Sequence, residues 1–368
     1  MTPIYDKPIE SKMAWRGCDI RSKDEVARDL TRAHVVALEE ILGRVSKIPR
    51  QEIRREDCRH PLIDDFLSEV FTQAQCVGGF VLLRGVPVKE HSDEDVERIY
   101  WAIGTHFGRA ESQNSLGNTL NWVQQEKLPG GVQSPSGTKS SGDLAPHTDP
   151  AEFFTLLCVR QAREGGNTQF GSTLAIHNEI LATRPDILPI LYKGFPIHRR
   201  GYQYDDQPAV TPYDVPIFSN VNGTVSSTFA IAGIVAALHT LGREMTAEER
   251  EALLVFQKVT LRLQFDTRLE PGEMSVVNNF TTIHSRSQYV DWDEPERRRL
   301  LMRLWLHPWR DQWPVVPEIN VFENKEGRFG LDHIPGREVA ANEYFGMTDE
   351  LQEICRRAQR RFLSEAAS

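Results

Sequence analysis

The stretch Pro146-His147-Thr148-Asp149-Pro150 constrains this chain more than any other. In an extended backbone, residues two apart point to the same face, about 7 Å apart along the strand. His147 and Asp149 therefore present an imidazole and a carboxylate side by side. These are two of the three donors in a 2-His-1-carboxylate set, the arrangement suited to non-haem Fe(II). The third donor has to arrive from elsewhere, so the fold must bring a distant segment to this strand end. His284 is the candidate, 135 residues beyond Asp149, after the turn at Pro271-Gly272 and the strand-like run 274–278. Taken alone, His-x-Asp reads first as a strand-edge histidine and an aspartate turn before Pro150. Metal binding is favoured only if the rest of the chain supplies a purpose for it.

The arginines supply one. Arg303 sits inside Leu300-Leu301-Met302-Arg303-Leu304-Trp305-Leu306, and a charge in so apolar a strand is expensive to bury unpaired. It is either half of a buried salt bridge, in a chain with 52 acidic residues, or a guanidinium that grips a ligand carboxylate in bidentate fashion. Strand parity places Arg299 on the same face, which gives two guanidinium groups 15 and 19 residues after His284. Thr168, after the turn Gly165-Gly166-Asn167, puts a hydroxyl near the same anion.

The rest of the chain frames this site. With 368 residues, a net charge of −9, 40% hydrophobic and 26% charged residues, the composition is that of a soluble globular protein. The acidic balance argues against nucleic acid as a partner. No apolar run is long enough to span a bilayer, and the N-terminus lacks the apolar core of a signal peptide. Five scattered cysteines without CxxC spacing fit thiols in a reducing, cytoplasmic setting. Apolar periodicity predicts helices over 24–45, 63–75, 92–107, 172–181 and 348–362, and one from the capping box Thr246-Ala-Glu-Glu249 to about 258. Strands are expected at 80–83, 153–159, from Thr168, at 259–265, at 274–278 and at 300–306, with short ones through 194–228. Residues 108–145 read as a long loop, either a substrate lid or a solvent loop. Many short strands flanked by helices suggest a mostly β fold with a jelly-roll core and flanking α-helices. The expected organisation is one domain over 1–368. It has an N-terminal helical extension (1–75), a core (about 76–310, with the lid 108–145) and a C-terminal tail with a helix (311–368). Arg199, Arg200, Tyr202 and Tyr204 form a polar, aromatic cluster that either lines a substrate pocket or sits in a solvated loop. Asn121 and Trp122 are the lid candidates.

These residues resemble the taurine dioxygenase-like (TauD/TfdA) family of Fe(II)/2-oxoglutarate-dependent oxygenases. The resemblance rests on an ordered set covering roughly 75–310: Gly79-Phe-Val-Leu-Leu-Arg-Gly85, Pro146-His-Thr-Asp149, Gly165-Gly-Asn-Thr168, Glu270-Pro-Gly-Glu273, Asn278-Asn279, His284-Ser-Arg286 and Arg298-Arg-Leu-Leu-Met-Arg-Leu-Trp-Leu306. Trp15-Arg-Gly-Cys-Asp19 looks like a leader found in a subset of such proteins. The resemblance implies a double-stranded β-helix with His147, Asp149 and His284 as iron ligands. It also implies Arg299 and Thr168 at the distal carboxylate of 2-oxoglutarate, and Arg303 nearer the iron. O2 is then the second cosubstrate, and succinate and CO2 are released. The substrate is expected to be a small, polar or anionic metabolite that undergoes hydroxylation, desaturation or cyclisation. Asp149 stands where iron halogenases of this type carry a small residue, which argues against halogenation. A homo-oligomer is compatible with the family. Two other readings stand beside this one: a jelly-roll metal-dependent hydrolase using the same triad, and a non-catalytic binding module. Neither gives the arginine pair a purpose.

Overall fold

The structure, a computed structural model, describes residues 3–114, 116–126, 137–310, 312–332 and 348–368. In chain order the elements are β1 (Ala27–Asp29), α1 (Arg32–Val45), α2 (Pro61–Thr72), β2 (Phe80–Arg84), α3 (Asp93–Phe107), β3 (Gly108–Glu111), β4 (Leu120–Val123), β5 (Leu144–His147), β6 (Phe153–Arg160), β7 (Glu164–Gly165) and β8 (Thr168–Ser172). There follow α4 (Thr173–Thr183), α5 (Leu188–Lys193), β9 (Phe218–Val221), β10 (Thr224–Ser227), α6 (Ile231–Thr240), α7 (Ala247–Leu263), β11 (Phe265–Thr267), β12 (Met274–Asn278), β13 (Thr282–Arg286), β14 (Tyr289–Val290), β15 (Leu300–Pro308) and α8 (Asp349–Ala367).

Two sheets carry the core. The larger has the order β1-β2-β12-β6-β15-β3, with β4 also paired to β15. The smaller has the order β11-β8-β13-β5. Strand β15 shows why the sequence runs nearly unbroken in apolar residues. Its even positions Leu300, Met302, Leu304 and Leu306 pack with Leu38, Ile41, Val96 and Ile103 of the helices covering the outer face. Its odd positions Leu301 and Trp305 face inward, with Phe154, Leu156 and Phe170. A strand buried on both faces has no solvent side on which to alternate. Phe80 of the large sheet stacks on Phe170 of the small one at 4.8 Å. Truncating such a buried ring to alanine costs roughly 3–5 kcal/mol. Ile283 on the outer face of the small sheet packs under Ile176 of α4 and Phe256 of α7. The result is the jelly-roll core with flanking helices, in which helices contribute more residues than strands.

The capping signals hold. Ser92 accepts from the Asp95 amide at the start of α3, and Thr246 and Glu249 cap α7 reciprocally. Three expectations are corrected. The helix expected over 24–45 begins only at Arg32, and Ala27–Asp29 instead pairs in parallel with β2, so the N-terminal segment adds a strand to the large sheet. The strand expected over 259–265 is mostly the end of α7: Phe256, Val259, Thr260 and Leu263 share a buried helical face, and this spacing also yields the apolar alternation that suggests a strand. Residues 108–145 are not one loop, because β3 and β4 pair with β15. Each of these strands buries only part of its own residues, so the pairing comes from the edge that β15 offers and not from a pattern of their own. The stretch 127–136, with Gly130-Gly131 and Ser134-Pro135-Ser136, lies outside the described residues, as does position 115.

Candidate metal centre and cosubstrate site

Strands β5 and β13 are antiparallel neighbours, and their register sets His147 directly opposite His284. This pairing brings together two histidines that the sequence holds far apart. The imidazole rings lie 4.2 Å apart, and His284 also packs against Phe154 at 4.3 Å. Asp149 follows the end of β5, where Asn279 clamps the turn. The Asn279 carbonyl oxygen accepts from the Asp149 amide, and its Nδ2 donates to the carbonyls of Asp149 and Ala151. One donor atom from each of His147, Asp149 and His284 falls within 4.8 Å of the others.

The donors are in the right protonation state to bind a cation. The Nδ1–H of His147 donates to the Ala145 carbonyl at 2.9 Å, which leaves Nε2 as the lone-pair nitrogen. Burial, then the positive partners nearby, pushes both imidazoles below the usual histidine range, His284 well below it. Burial alone would raise the Asp149 carboxyl, but Arg303, the two histidines and the Trp305 indole together hold it below its ordinary value. Nδ1 of His284 is buried with no hydrogen-bond partner among the described residues. Two neutral imidazoles and a carboxylate converging on one point fit a divalent cation, and they match the donor set of non-haem Fe(II).

Arg303 and Trp305 serve the carboxylate. Arg303 Nη1 lies 3.2 Å from Asp149 Oδ2, and the Trp305 indole donates to the same oxygen at 2.9 Å. Gln113 holds Arg303 in place: its Oε1 accepts from Arg303 Nε at 2.7 Å, while its Nε2 donates to the Arg303 carbonyl. Arg299 is treated differently. It is 1% exposed, and its Nε and Nη1 have no hydrogen-bond partner. Its guanidinium lies 4.9 Å from the Tyr289 ring, and Arg286 approaches that ring at 5.1 Å. Gly166, in a left-handed turn, passes so close that a side chain there would press on Arg299. Burial, and then Arg299, brings Arg286 down to about 10. Arg286 donates to the carbonyls of Gly137, Ser140 and Gly142, which ties that segment to the site.

A cavity of about 950 Å³ opens from the triad. His147, Asp149, Arg303, Arg200 and Tyr202 line it. Arg299 and Thr168 lie behind its wall, Thr168 directly across the strand pair from Arg286. The remaining substrate candidates are placed elsewhere. Trp122 is exposed and donates to Glu97, Tyr204 bonds Asp332, and Asn121 pairs with Arg303 in β4 without reaching the cavity. Arg199 is spent on the carbonyls of Val321 and Pro208. Opposite the start of β15 the partner strand β6 carries a bulge, Leu300 pairing with Arg160 and Leu301 with Cys158, and Arg299 and Arg303 serve different neighbours. Sequence reasoning gave no role to Gln113, Asn279, Arg286, Tyr289 or Trp305. Of these, Asn279, Arg286 and Trp305 stand inside quoted motifs, while Gln113 and Tyr289 carry no local signal.

The model of the taurine catabolism dioxygenase TauD, TfdA family matches residues 45–305. The chain belongs to this family. It is thus an Fe(II)/2-oxoglutarate-dependent dioxygenase with the jelly-roll core of the TauD/TfdA proteins. It is 25% identical over 316 residues to FR-33289 synthase of Streptomyces rubellomurinus, covering 83% of this chain and 92% of that protein. It is 22% identical over 316 residues to the taurine hydroxylase-like protein SAT17 of Stachybotrys chartarum, covering 80% and 79%. Among solved structures, an asparagine oxygenase with Fe(II), 3-hydroxyasparagine and succinate superposes with a TM-score of 0.62 at 15% identity, covering 83% of this chain and 99% of that one. The oxygenase OrfP with Fe, succinate and (3S)-hydroxy-L-Arg gives 0.58 at 12% identity, covering 76% and 94%. No helix among the described residues is long and apolar enough to cross a membrane.

Proposed function

We propose that this dioxygenase holds Fe(II) through His147, Asp149 and His284 and binds 2-oxoglutarate with its distal carboxylate at Arg299, to oxidise a small polar or anionic metabolite. The observation that carries this reading is the pairing of two things in one corner: a converged, deprotonated donor triad, and a buried guanidinium whose Nε and Nη1 find no acceptor among the described residues. When bound, the metal and its 2-oxo acid supply oxidative decarboxylation to succinate and CO2 and a two-electron oxidation of the substrate. The chain's own residues do the rest. Arg303 and Trp305 fix the Asp149 carboxylate and keep it ionised. Ala145 orients His147. Phe154 and Trp305 keep the corner apolar. Arg299, with Tyr289, Arg286 and Thr168 around it, orients the cosubstrate. The two solved structures of this fold are complexes with hydroxylated amino acids, 3-hydroxyasparagine and (3S)-hydroxy-L-Arg. A substrate of that size suits the cavity. Five free thiols support a cytoplasmic setting.

The test is anaerobic titration of the Fe(II)-loaded protein with 2-oxoglutarate, following the visible metal-to-ligand charge-transfer band. The band is expected in the wild type, absent in His284→Ala, and shifted to higher 2-oxoglutarate concentration in Arg299→Met. A folded, iron-loaded wild type with no band overturns the reading.

A further inference from the structure

Two walls of the cavity are held in different ways. Helix α8 is one: its Leu351 packs on Ala236 and its Phe362 joins the core under α7, while Gln359 and Leu363 line the cavity. The other is the segment 137–143, of which Gly137, Thr138, Ser140, Gly142 and Asp143 line the cavity. It runs directly into β5, the strand that ends on the metal ligand His147. None of its residues is buried. A wall without apolar anchorage is only as ordered as its hydrogen bonds.

Three of those bonds come from one side chain. Arg286 is 6% exposed, and its guanidinium donates to the carbonyls of Gly137, Ser140 and Gly142 at 3.1, 2.9 and 2.5 Å. A rigid fork of five N–H donors can hold several carbonyls of one turn at once, which the single ammonium of a lysine cannot do in fixed geometry. The next residues add backbone bonds: the Gln288 amide donates to Asp143 and the Tyr289 amide to the Ser141 carbonyl. From the chain just after β4, the Glu126 amide donates to the Lys139 carbonyl and Gln125 to the Ser141 hydroxyl.

Arg286 also stands beside the arginine assigned to the cosubstrate. Its guanidinium lies 5.1 Å from the Tyr289 ring, which Arg299 approaches to 4.9 Å. Arg299 opposes the Arg286 charge, and Asp143 favours it. Nε of Arg286, like Nε and Nη1 of Arg299, is buried with no hydrogen-bond partner among the described residues. The wall is thus latched by a cation that a neighbouring cation disfavours. An anion on Arg299 cancels that repulsion.

We propose that Arg286 is a positioning residue that couples the two halves of the site. Filling Arg299 with the distal carboxylate of the cosubstrate fixes Arg286 on its three carbonyls, and this sets the 137–143 wall against which the substrate is held. The proposal rests on the dioxygenase reading and adds to it a link between cosubstrate and substrate pocket through named atoms. Tyr289 joins both arms, its ring shared by the two arginines and its amide on Ser141. Coupling of this kind is reciprocal, so a set wall also favours the bound cosubstrate.

The experiment follows tryptic cleavage after Lys139, inside the segment, and amide exchange at Gln288 and Tyr289, whose N–H groups donate to it. Both are read on the anaerobic Fe(II)-loaded protein with and without saturating 2-oxoglutarate, and the charge-transfer band reports binding in the same samples. In the wild type, 2-oxoglutarate is expected to slow both processes about fivefold or more, the lower range of coupling between sites. In Arg286→Met both are expected to be faster than in the wild type before cosubstrate is added, and to stay unchanged once the band shows it bound. Arg286→Lys keeps the charge without the fork and is expected to respond less than the wild type, so it carries the test if Arg286→Met does not fold. In Arg299→Met, at the same 2-oxoglutarate concentration, the response is expected to disappear with the band. A wild type that shows the band without any slowing, or equal slowing in the wild type and the Arg286 variants, overturns this proposal and leaves the dioxygenase reading standing. A folded, iron-loaded wild type with no band overturns both.

Discussion

Arg303 and Arg299 lie four residues apart at one end of β15, yet the protein treats their charges in opposite ways. Arg303 is saturated: Asp149 neutralises it, Gln113 holds its Nε, and the pair is built into the metal corner. Arg299 is buried more deeply, beside the Tyr289 ring, Arg286 and Asp291, and among the described residues its Nε and Nη1 have no hydrogen-bond partner. Removing the partner of a buried charge typically costs several kcal/mol, so a fold does not leave such a group unpaired without a return elsewhere. The saturated arginine is part of the scaffold that tunes a ligand. On the proposed reading, the unsaturated one receives the distal carboxylate of the cosubstrate. On that reading, the difference between paired and unpaired buried charge separates the metal end of the site from the cosubstrate end.

Mutations break or sharpen this contrast in a graded way. The largest effect is expected from His284→Ala or Asp149→Ala: iron binding and 2-oxoglutarate-dependent succinate release fall to background. Asp149→Ala also leaves Arg303 uncompensated and lowers the melting temperature of the metal-free protein. Arg299→Met is the sharper test, because its two effects run in opposite directions. The affinity for 2-oxoglutarate drops by the equivalent of about 2–5 kcal/mol, while the metal-free protein becomes more stable by about 1–3 kcal/mol, since an unpaired buried charge is gone. Thermal unfolding and cosubstrate titration read the two separately, and a destabilised Arg299→Met would erase the contrast. Trp305→Phe removes one hydrogen bond from Asp149 and is expected to cost about 10- to 100-fold in metal affinity or turnover, measured by competition with a chelator.

Glu152 extends the comparison to a buried acid. It is 2% exposed, its carboxylate has only the Trp313 amide as a partner among the described residues, and burial pushes it up to about 7. A raised carboxyl means the folded state keeps a proton that the unfolded chain releases above its ordinary value of 4.5. Stability from this group is thus present at low pH and lost as pH climbs through about 7. Glu152→Gln is expected to be about 2 kcal/mol more stable than the wild type at pH 8 and equal to it near pH 5, in denaturant titrations. The smallest effect belongs to Trp122→Ala. That exposed side chain points away from the cavity, and turnover is expected to stay at the wild-type rate.

The site was legible in sequence where chemistry is concentrated in short motifs. His147 with Asp149, and the apolar strand around Arg303, announce themselves because a ligand pair and a buried charge are locally odd. What was not legible depends on tertiary pairing. Gln113 looks like any polar residue in a Ser-Gln-Asn stretch, and only β15 gives it Arg303 to hold. The strand at Ala27–Asp29 is three residues long and owes its conformation to β2. Phe256, Val259 and Leu263 satisfy a helix, and Val259, Leu261 and Leu263 a strand, so the pattern alone does not choose. The parity argument for Arg299 and Arg303 says which face each takes, and the different neighbours of the two guanidinium groups come only from the tertiary packing. The cavity face of α8 is legible only once the opposite face is seen packed on α6 and α7.

The register of β5 against β13 carries a last consequence. β5 is the outermost strand of the small sheet, and beyond it His147 makes only a single bridge, to Ala230. A cation shared by His147 and His284 is therefore a cross-strand staple as well as a reagent, binding the folded edge and not the unfolded one. Amide exchange along 144–147 is expected to slow when metal is added. The same staple is expected to make the metal-loaded chain more resistant to proteolysis at this edge than the metal-free chain.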